Sequence, residues 1–451
     1  MINQQPIFTD VDLQEQYGKD QQSLLFVKQI EFIFSYFEFQ SKLLKKNERK
    51  KRKTQSQDDP NSRRTEQSVI QVSSNHDSDK LQQEYDQLLE SYQQKSNRKN
   101  SKAYKSDFQT LKVLGKGGYG KVYLVQRKSD LKFYAMKVIK KERVKNPKQK
   151  IRTKTERYIL EKFKHPFLMH LKYAFQTKDK LFMIIDYCPG GELFFHLQRV
   201  GIFNEKITKF YSACILLGIL ELHKNNIIYR DLKPENILID KYGYVVITDF
   251  GLSKEHVTDR TESFCGTAEY MAPEVILKRP YSKSVDWWSL GALMYEMLQG
   301  LPPFFTNKRD KTFGLILNTD FVFTRPISEA AMDLISKLLQ KDPTQRLGNG
   351  TLDGVEIMKH PFFEGVNWEM LLSRKIQAPF IPDKHKVNNL MYFPQEFTEM
   401  QISQDDQLRF SNNKNEKGLG DSCASQHSNE WGGFSFHGSR TQSSTSQILY
   451  A

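Results

Sequence analysis

The sequence predicts an α+β protein of two lobes, a small strand-rich one followed by a larger, mainly helical one. Three observations carry this. Segments 108–114, 121–127 and 133–139 read as successive strands with turn signals between them. Helical periodicity dominates after Gly190, with long apolar-periodic stretches at 204–225 and 284–299. The chain is polar on both sides of this block and changes character near residues 107 and 400.

Within the small lobe, 146–162 reads as its one main helix and 181–187 as a buried strand. At 451 residues the chain exceeds one average domain and can bury a large core. Its net charge of +14 points to polyanions such as a membrane surface, nucleic acid or ATP, without choosing among them. The four cysteines, Cys188, Cys214, Cys265 and Cys423, form no Cys-x-x-Cys pair, which argues against a disulfide framework or a zinc site. They fit a reducing compartment such as the cytosol. No run of about 18 apolar residues is present, so no transmembrane helix is expected. Residues 1–10 do not resemble a secretory signal. A cytoplasmic location is expected, with membrane-associated or nuclear ones as alternatives.

The flanks read separately. In the N-terminal extension, 1–53, an aromatic stretch including Phe26, Phe32, Phe34 and Phe37 precedes a basic run from Lys42 to Lys53. Residues 23–53 fit an interfacial membrane anchor, a nuclear-import or polyanion patch, or a helix packed on the body. Residues 54–107 are a polar linker, expected to be largely disordered. Inside it Leu81, Tyr85, Leu88 and Tyr92 repeat at helical spacing, as a short helix or a self-association seam. Residues 438–451 are expected to be a disordered tail, and no internal repeat is evident.

Several motifs carry chemistry. Gly115-Lys-Gly117-Gly-Tyr-Gly120-Lys-Val122 lies between two predicted strands. Glycines let a backbone approach phosphates closely. Alone, the pattern is also that of a tight hairpin or a dinucleotide-binding turn; the latter needs a helix next, and a strand-like segment follows. Lys137 sits inside an apolar strand, where desolvation disfavours a charge unless it is paired. Glu156 on the following helix is its obvious partner, and an edge-strand lysine is the plainer reading. Asp231 and Asn236 flank Pro234 in a rigid loop that can aim a carboxylate at a hydroxyl and an amide oxygen at a metal. Asp249-Phe-Gly251 follows the apolar strand 244–247, and a carboxylate there suits Mg2+. Each piece has a dull alternative, but their ordered co-occurrence makes chance coincidence untenable.

On these residues the sequence resembles the protein kinase family over 108–363, and the C-terminal extension at 364–437 resembles that of its AGC group. The resemblance implies a bilobal kinase fold and transfer of the ATP γ-phosphoryl group to Ser or Thr, with Mg2+ as cofactor. By it, Gly115, Gly117 and Gly120 cover the phosphates and Lys137 pairs with Glu156. Leu114, Val122, Ala135 and Leu238 line the nucleotide site. Ile185 is the gatekeeper before a hinge around Asp186 and Cys188. Asp231 accepts or orients the substrate proton, Lys233 neutralises the transferring group, and Asn236 and Asp249 hold metal. Asp286 braces the catalytic loop, and Glu274 pairs with Arg346. The match is similar in style to protein kinase B. Ala268 replaces a usual Pro, and Trp431 a commoner Phe. Gln404 follows the turn-motif candidate Ser403 where Pro is usual.

The resemblance also implies control. Ser263 is the activation-loop phosphorylation site for an upstream kinase, with Arg152, Arg230 and Lys254 receiving the phosphate. Ser435, in Trp431-Gly-Gly-Phe434-Ser435-Phe436, is the hydrophobic-motif site, whose aromatic residues are expected to dock beside the Glu156 helix. Glu192, Glu235 and Glu296 match positions that grip substrate arginines, and Thr267 faces the substrate. A monomer without a specific nucleic-acid partner is expected. A scaffold that keeps the fold but does no catalysis is the rival reading.

Overall fold

The computed structural model describes residues 103–118, 120–255, 261, 263–382, 390–403 and 431–437. The expectations for 1–53, for the linker through 102 and for 438–451 lie outside the described residues.

Five strands build the small lobe: β1 (Phe108–Lys116), β2 (Gly120–Arg127), β3 (Phe133–Lys140), β4 (Leu171–Gln176) and β5 (Lys180–Asp186). They pair antiparallel in the order β1-β2-β3-β5-β4. Period-2 alternation sorts the sheet into two faces. Phe108, Val113, Tyr123, Val125, Met136, Val138, Phe182 and Ile184 form an outer cluster. Leu114, Leu124, Ala135, Ile139, Met183 and Ile185 join the main core on the inner face. Lys137 stands between Ala135 and Ile139 in this alternation and therefore points inward. The outer face is covered by Phe397, Met400 and Ile402 of the C-terminal extension. Ala103, 1% exposed, belongs to the same cluster, so packed structure begins ahead of the 107 limit expected for the linker.

Helix α1 (Pro147–Lys162) crosses the inner face. Pro147 occupies its first turn and Asn146 accepts a hydrogen bond from Lys148 N at 2.9 Å, satisfying an otherwise orphaned donor. Strand β4 had no sequence expectation. Its alternation is broken by an irregularity between Leu171 and Tyr173, so its residues do not present a clean period.

The helical lobe starts with α2 (Leu193–Val200) and α3 (Glu205–Lys224). A two-stranded ribbon follows, β6 (Ile237–Ile239) with β7 (Val245–Ile247). Short α4 (Pro273–Ile276) precedes α5 (Ser284–Gln299), every residue of which is buried. A helix apolar on most sides belongs at the centre of a large core, and Trp287 and Trp288 are fully enclosed there. Helices α6 (Arg309–Asn318) and α7 (Glu329–Leu338) complete the lobe's main elements. Among the described residues, no helix is long and apolar enough to cross a membrane.

Candidate active site

The inward Lys137 meets Glu156 of α1, with Nζ 2.5 Å from Oε1. The same Nζ lies 3.7 Å from Asp249 Oδ1. Burial opposes the Lys137 charge, but Asp249 and Glu156 outweigh it and hold its pKa above the ordinary value. In turn Lys137 keeps the Asp249 carboxyl below the usual carboxylate range. Asp249 adopts left-handed backbone (φ 54°), and its carboxylate accepts from Gly251 N at 3.4 Å. The adjoining Phe250 is fully buried, edge-on to Tyr229 at 5.8 Å.

Apolar residues close the cleft around this triad. Leu114, Ala135, Ile185 and Cys188 are buried in the core, and Val122 and Leu238 pack against it. Ile185 pairs with Ala135 across β5 and β3. The Asp186 side chain turns away to Lys172 at 3.0 Å and His170 at 3.5 Å, so the hinge offers its backbone there. Gly117 N donates to Gly120 O at 2.9 Å and closes the glycine turn. A Cβ on Gly120 would collide with the Val138 carbonyl, so this glycine is also required by strand packing.

The catalytic loop is tied from several sides. Asn236 Nδ2 donates to the carbonyl and to Oδ2 of Asp231, both at 2.8 Å. Lys233 Nζ lies 3.7 Å from Asp231 Oδ2 and donates to Thr267 Oγ1 at 3.0 Å. Thr267 in turn donates to Asp231 Oδ1 at 3.3 Å. Burial raises the Asp231 pKa above its usual value against the pull of Lys233 and Asn236. A carboxylate so placed can accept a proton from a hydroxyl. The Asn236 amide nitrogen is committed to Asp231, so the group it offers a cation is Oδ1. The Asp249 side chain stays 51% exposed. Amide and carboxylate oxygens with room for phosphate oxygens suit Mg2+, so these residues fit that ion, which when bound would neutralise phosphate charge.

Beneath the loop, Asp286 is fully buried and accepts from Tyr229 N and Arg230 N, each at 2.8 Å. These bonds hold Arg230 at φ 68°, a left-handed conformation unfavourable for a side-chain-bearing residue. His223 Nε2 bonds the same Asp286 at 2.8 Å, while its Nδ1 meets Asp353 at 3.1 Å. Burial works against an imidazolium, but the two aspartates outweigh it and raise the His223 pKa. Sequence reasoning found Asp286 and missed His223 and Asp353. They lie 130 residues apart, and no local pattern joins them. Glu274 and Arg346 form a buried two-pronged pair at 2.6 and 2.9 Å, as the resemblance implied.

Ser263 is exposed. Tyr281 donates to its carbonyl at 2.7 Å and accepts from Arg230 Nη1 at 2.9 Å. Lys254 Nζ donates to Thr261 Oγ1 nearby. The Arg152 side chain makes no hydrogen bond or ion pair among the described residues. In the C-terminal extension, Trp431 (7% exposed) and Phe434 (3%) are buried against the small lobe. Arg157 of α1 donates to Phe434 O at 2.8 Å, and Gln176 to Trp431 O at 3.0 Å. Phe436 pairs with Ala174 of β4 through two 2.8 Å backbone bonds, leaving Ser435 exposed. Ser403 is exposed at the end of a described segment.

On the other side of the catalytic loop, Glu192 begins α2, Glu235 follows Pro234, and Glu296 lies in α5 with its Oε2 accepting from Tyr270 at 2.5 Å. Burial and Glu235 push Glu192 up to about 7. Burial pushes Glu296 up to about 8, with Glu235 and Glu269 adding to it and the Tyr270 bond opposing. Glu235 itself is raised, chiefly by burial, and its Oε2 is buried without a hydrogen-bond partner. Tyr270 is the member of this cluster that the sequence reading missed.

Comparison with known proteins agrees with this geometry. The family model "Protein kinase domain" matches residues 108–363. Serine/threonine-protein kinase Sgk1 of Danio rerio is 49% identical over 303 residues, 66% of this chain and 70% of that protein. Serine/threonine-protein kinase Sgk2 of Homo sapiens is 48% identical over 307 residues, 67% of this chain and 83% of that protein. RAC-beta serine/threonine-protein kinase A of Xenopus laevis is 46% identical over 309 residues, 68% of this chain and 64% of that protein. The chain therefore belongs to the protein kinase family, as a serine/threonine protein kinase of the AGC group whose substrates are ATP and proteins.

Proposed function

We propose that this kinase acts on Ser or Thr preceded by arginine, and that phosphates on Ser263 and Ser435 set its activity. The observation that carries the specificity is the carboxylate cluster of Glu192, Glu235 and Glu296. Like charges gathered under partial burial are costly until a cation arrives, and the buried, unpartnered Glu235 Oε2 marks where one belongs. Lys233 offsets only part of the repulsion that Glu235 exerts on Glu192. Arginine suits the gap, because its planar fork donates two parallel hydrogen bonds to a carboxylate.

Catalysis in this reading is positioning and charge. Lys137, fixed by Glu156, meets the nucleotide phosphates under the glycine turn. Asp231 takes the hydroxyl proton, and Lys233 lies beside it to meet charge on the transferring group. Asn236 and Asp249 would hold Mg2+.

Regulation is supported by placement. Arg230 of the catalytic loop is joined to the Ser263 carbonyl through Tyr281, and Lys254 bonds Thr261 two residues before Ser263, so a phosphate there would bring nearly two negative charges near them. Arg152, one turn before Glu156 on α1, would feel the same charge and draw α1 toward the cleft. The docked residues 431–437 hold the other side of α1, with Ser435 facing outward for an upstream kinase. The deciding experiment is phosphotransfer from Mg-ATP to a serine peptide library. Selection of arginine upstream of the acceptor is expected; indifference to arginine ends the specificity claim.

A further inference from the structure

The turn carrying Glu192 is held from outside the cleft. Gly191 N donates to Cys188 O at 3.1 Å, and Gly190 N to Ile239 O at 3.0 Å. Ile239 N returns a bond to Gly191 O at 2.8 Å, tying the turn to β6. The Gly190 carbonyl meets His196 Nε2 at 2.6 Å. Burial keeps the His196 imidazole below its ordinary pKa. The ring is therefore neutral near pH 7, with Nε2–H donating to that carbonyl.

Two aromatic residues from beyond the catalytic block clamp this histidine. Tyr392 stacks on its ring at 5.1 Å and 29°, and Phe380 lies at 4.9 Å and 57°. The Tyr392 carbonyl also lies against Gly191, which sits at φ 68° and where a Cβ would strike it. Phe380 and Tyr392, together termed the strap, thus press on the turn through His196 and, at the Tyr392 carbonyl, through the backbone. Glu192 comes next in the chain and makes no side-chain cap on α2, so its carboxylate is free to face Glu235. Those two carboxylates repel, and an unrestrained turn would relax them apart.

We propose that His196 and Tyr392 are positioning residues for substrate arginine, holding the 188–192 turn so that the Glu192 carboxylate stays beside Glu235. The inference rests on the arginine-directed reading above. It makes Phe380 and Tyr392 part of the specificity machinery, although neither carries a carboxylate. A glutamate displaced by a fraction of a hydrogen-bond length loses the two-pronged geometry and keeps only a diffuse attraction.

The test compares the full-length kinase and its variants on two peptides, one with arginine three residues before its serine and one with alanine there. Wild type is expected to prefer the arginine peptide. His196→Ala and Tyr392→Ala should each shrink that preference about tenfold, the size of one charge-assisted hydrogen bond, with the loss in KM for the arginine peptide. His196→Gln, which can still donate toward Gly190 O, should recover part of it. Tyr392→Ala reaches the same turn from the strap and serves if the His196→Ala protein does not fold. Variants that keep the wild-type preference, or that lose equally on both peptides, overturn the positioning role. A wild type indifferent to arginine removes the underlying reading and this inference with it.

Discussion

The two sides of the catalytic loop treat charge in opposite ways. On the nucleotide side, Lys137 is matched at 2.5 Å by Glu156 and at 3.7 Å by Asp249, so its charge is met by counter-charges inside the protein. On the substrate side, Glu235 adds repulsion to both Glu192 and Glu296, and among the described residues one cation, Lys233, acts against it, at Glu192. The first arrangement is pre-organised and ready for a transition state whose charge must be met without rearrangement. In the proposed reading the second is completed by a substrate cation, and one chain then separates what every turnover needs from what selects the substrate.

The comparison can be broken at its catalytic end first. Asp231→Asn removes the proton acceptor but keeps the Asn236 hydrogen bond near 2.8 Å. Phosphotransfer should fall by about 10²–10⁴-fold with an unchanged melting temperature. Wild-type turnover in that variant would refute the assignment. Next in size, Ser263→Ala should cost roughly tenfold or more in kcat relative to enzyme phosphorylated by its upstream kinase, the effect of losing one or more charge-assisted bonds. Equal kcat for the two would show that Arg230 and Lys254 receive nothing.

On the substrate side, Glu235→Gln should raise KM for an arginine peptide about tenfold while leaving kcat at saturation nearly intact. A drop in kcat instead would move Glu235 into the catalytic set. The smallest effect is the dependence on pH. Glu192 and Glu296 have folded pKa values of about 7 and about 8, above the ordinary carboxylate value. Their neutral forms favour the folded state. Their contribution to stability is therefore full below the usual carboxylate range and is lost as pH rises through those two values. The free enzyme should melt a few degrees lower at about pH 8.5 than at about pH 6 from this cause. Peptide affinity should run the other way, because in the proposed reading a substrate arginine binds the ionised carboxylates, so kcat/KM should climb over the same interval. Parallel pH trends for melting and peptide use would contradict the two-sided picture.

Much of the fold was legible because local rules agreed with tertiary need. Segments 121–127 and 133–139 lie within β2 and β3, and 146–162 within a residue of α1, since alternation, helical period, Asn146 and Pro147 all act locally. Strand β4 escaped because an irregularity breaks its alternation. In the site, the spaced glycines, Lys137, Asp231, Asn236 and Asp249 stood out because each is a polar or conformationally free residue in an apolar setting. His223, Asp353 and Tyr270 did not, since each acts on a partner remote in sequence, and the remote Tyr392 that stacks on His196 hid that residue too.

By itself the sequence determined which residue types reach the cleft and in which order, because the spacing of charged residues along strands and loops fixes the face each one takes. Only the tertiary structure decided which charges are cancelled and which are left wanting. Burial and distance set the cost of a charge, and both depend on segments such as α5, β6 and the strap through Tyr392, which meet only once the chain has folded.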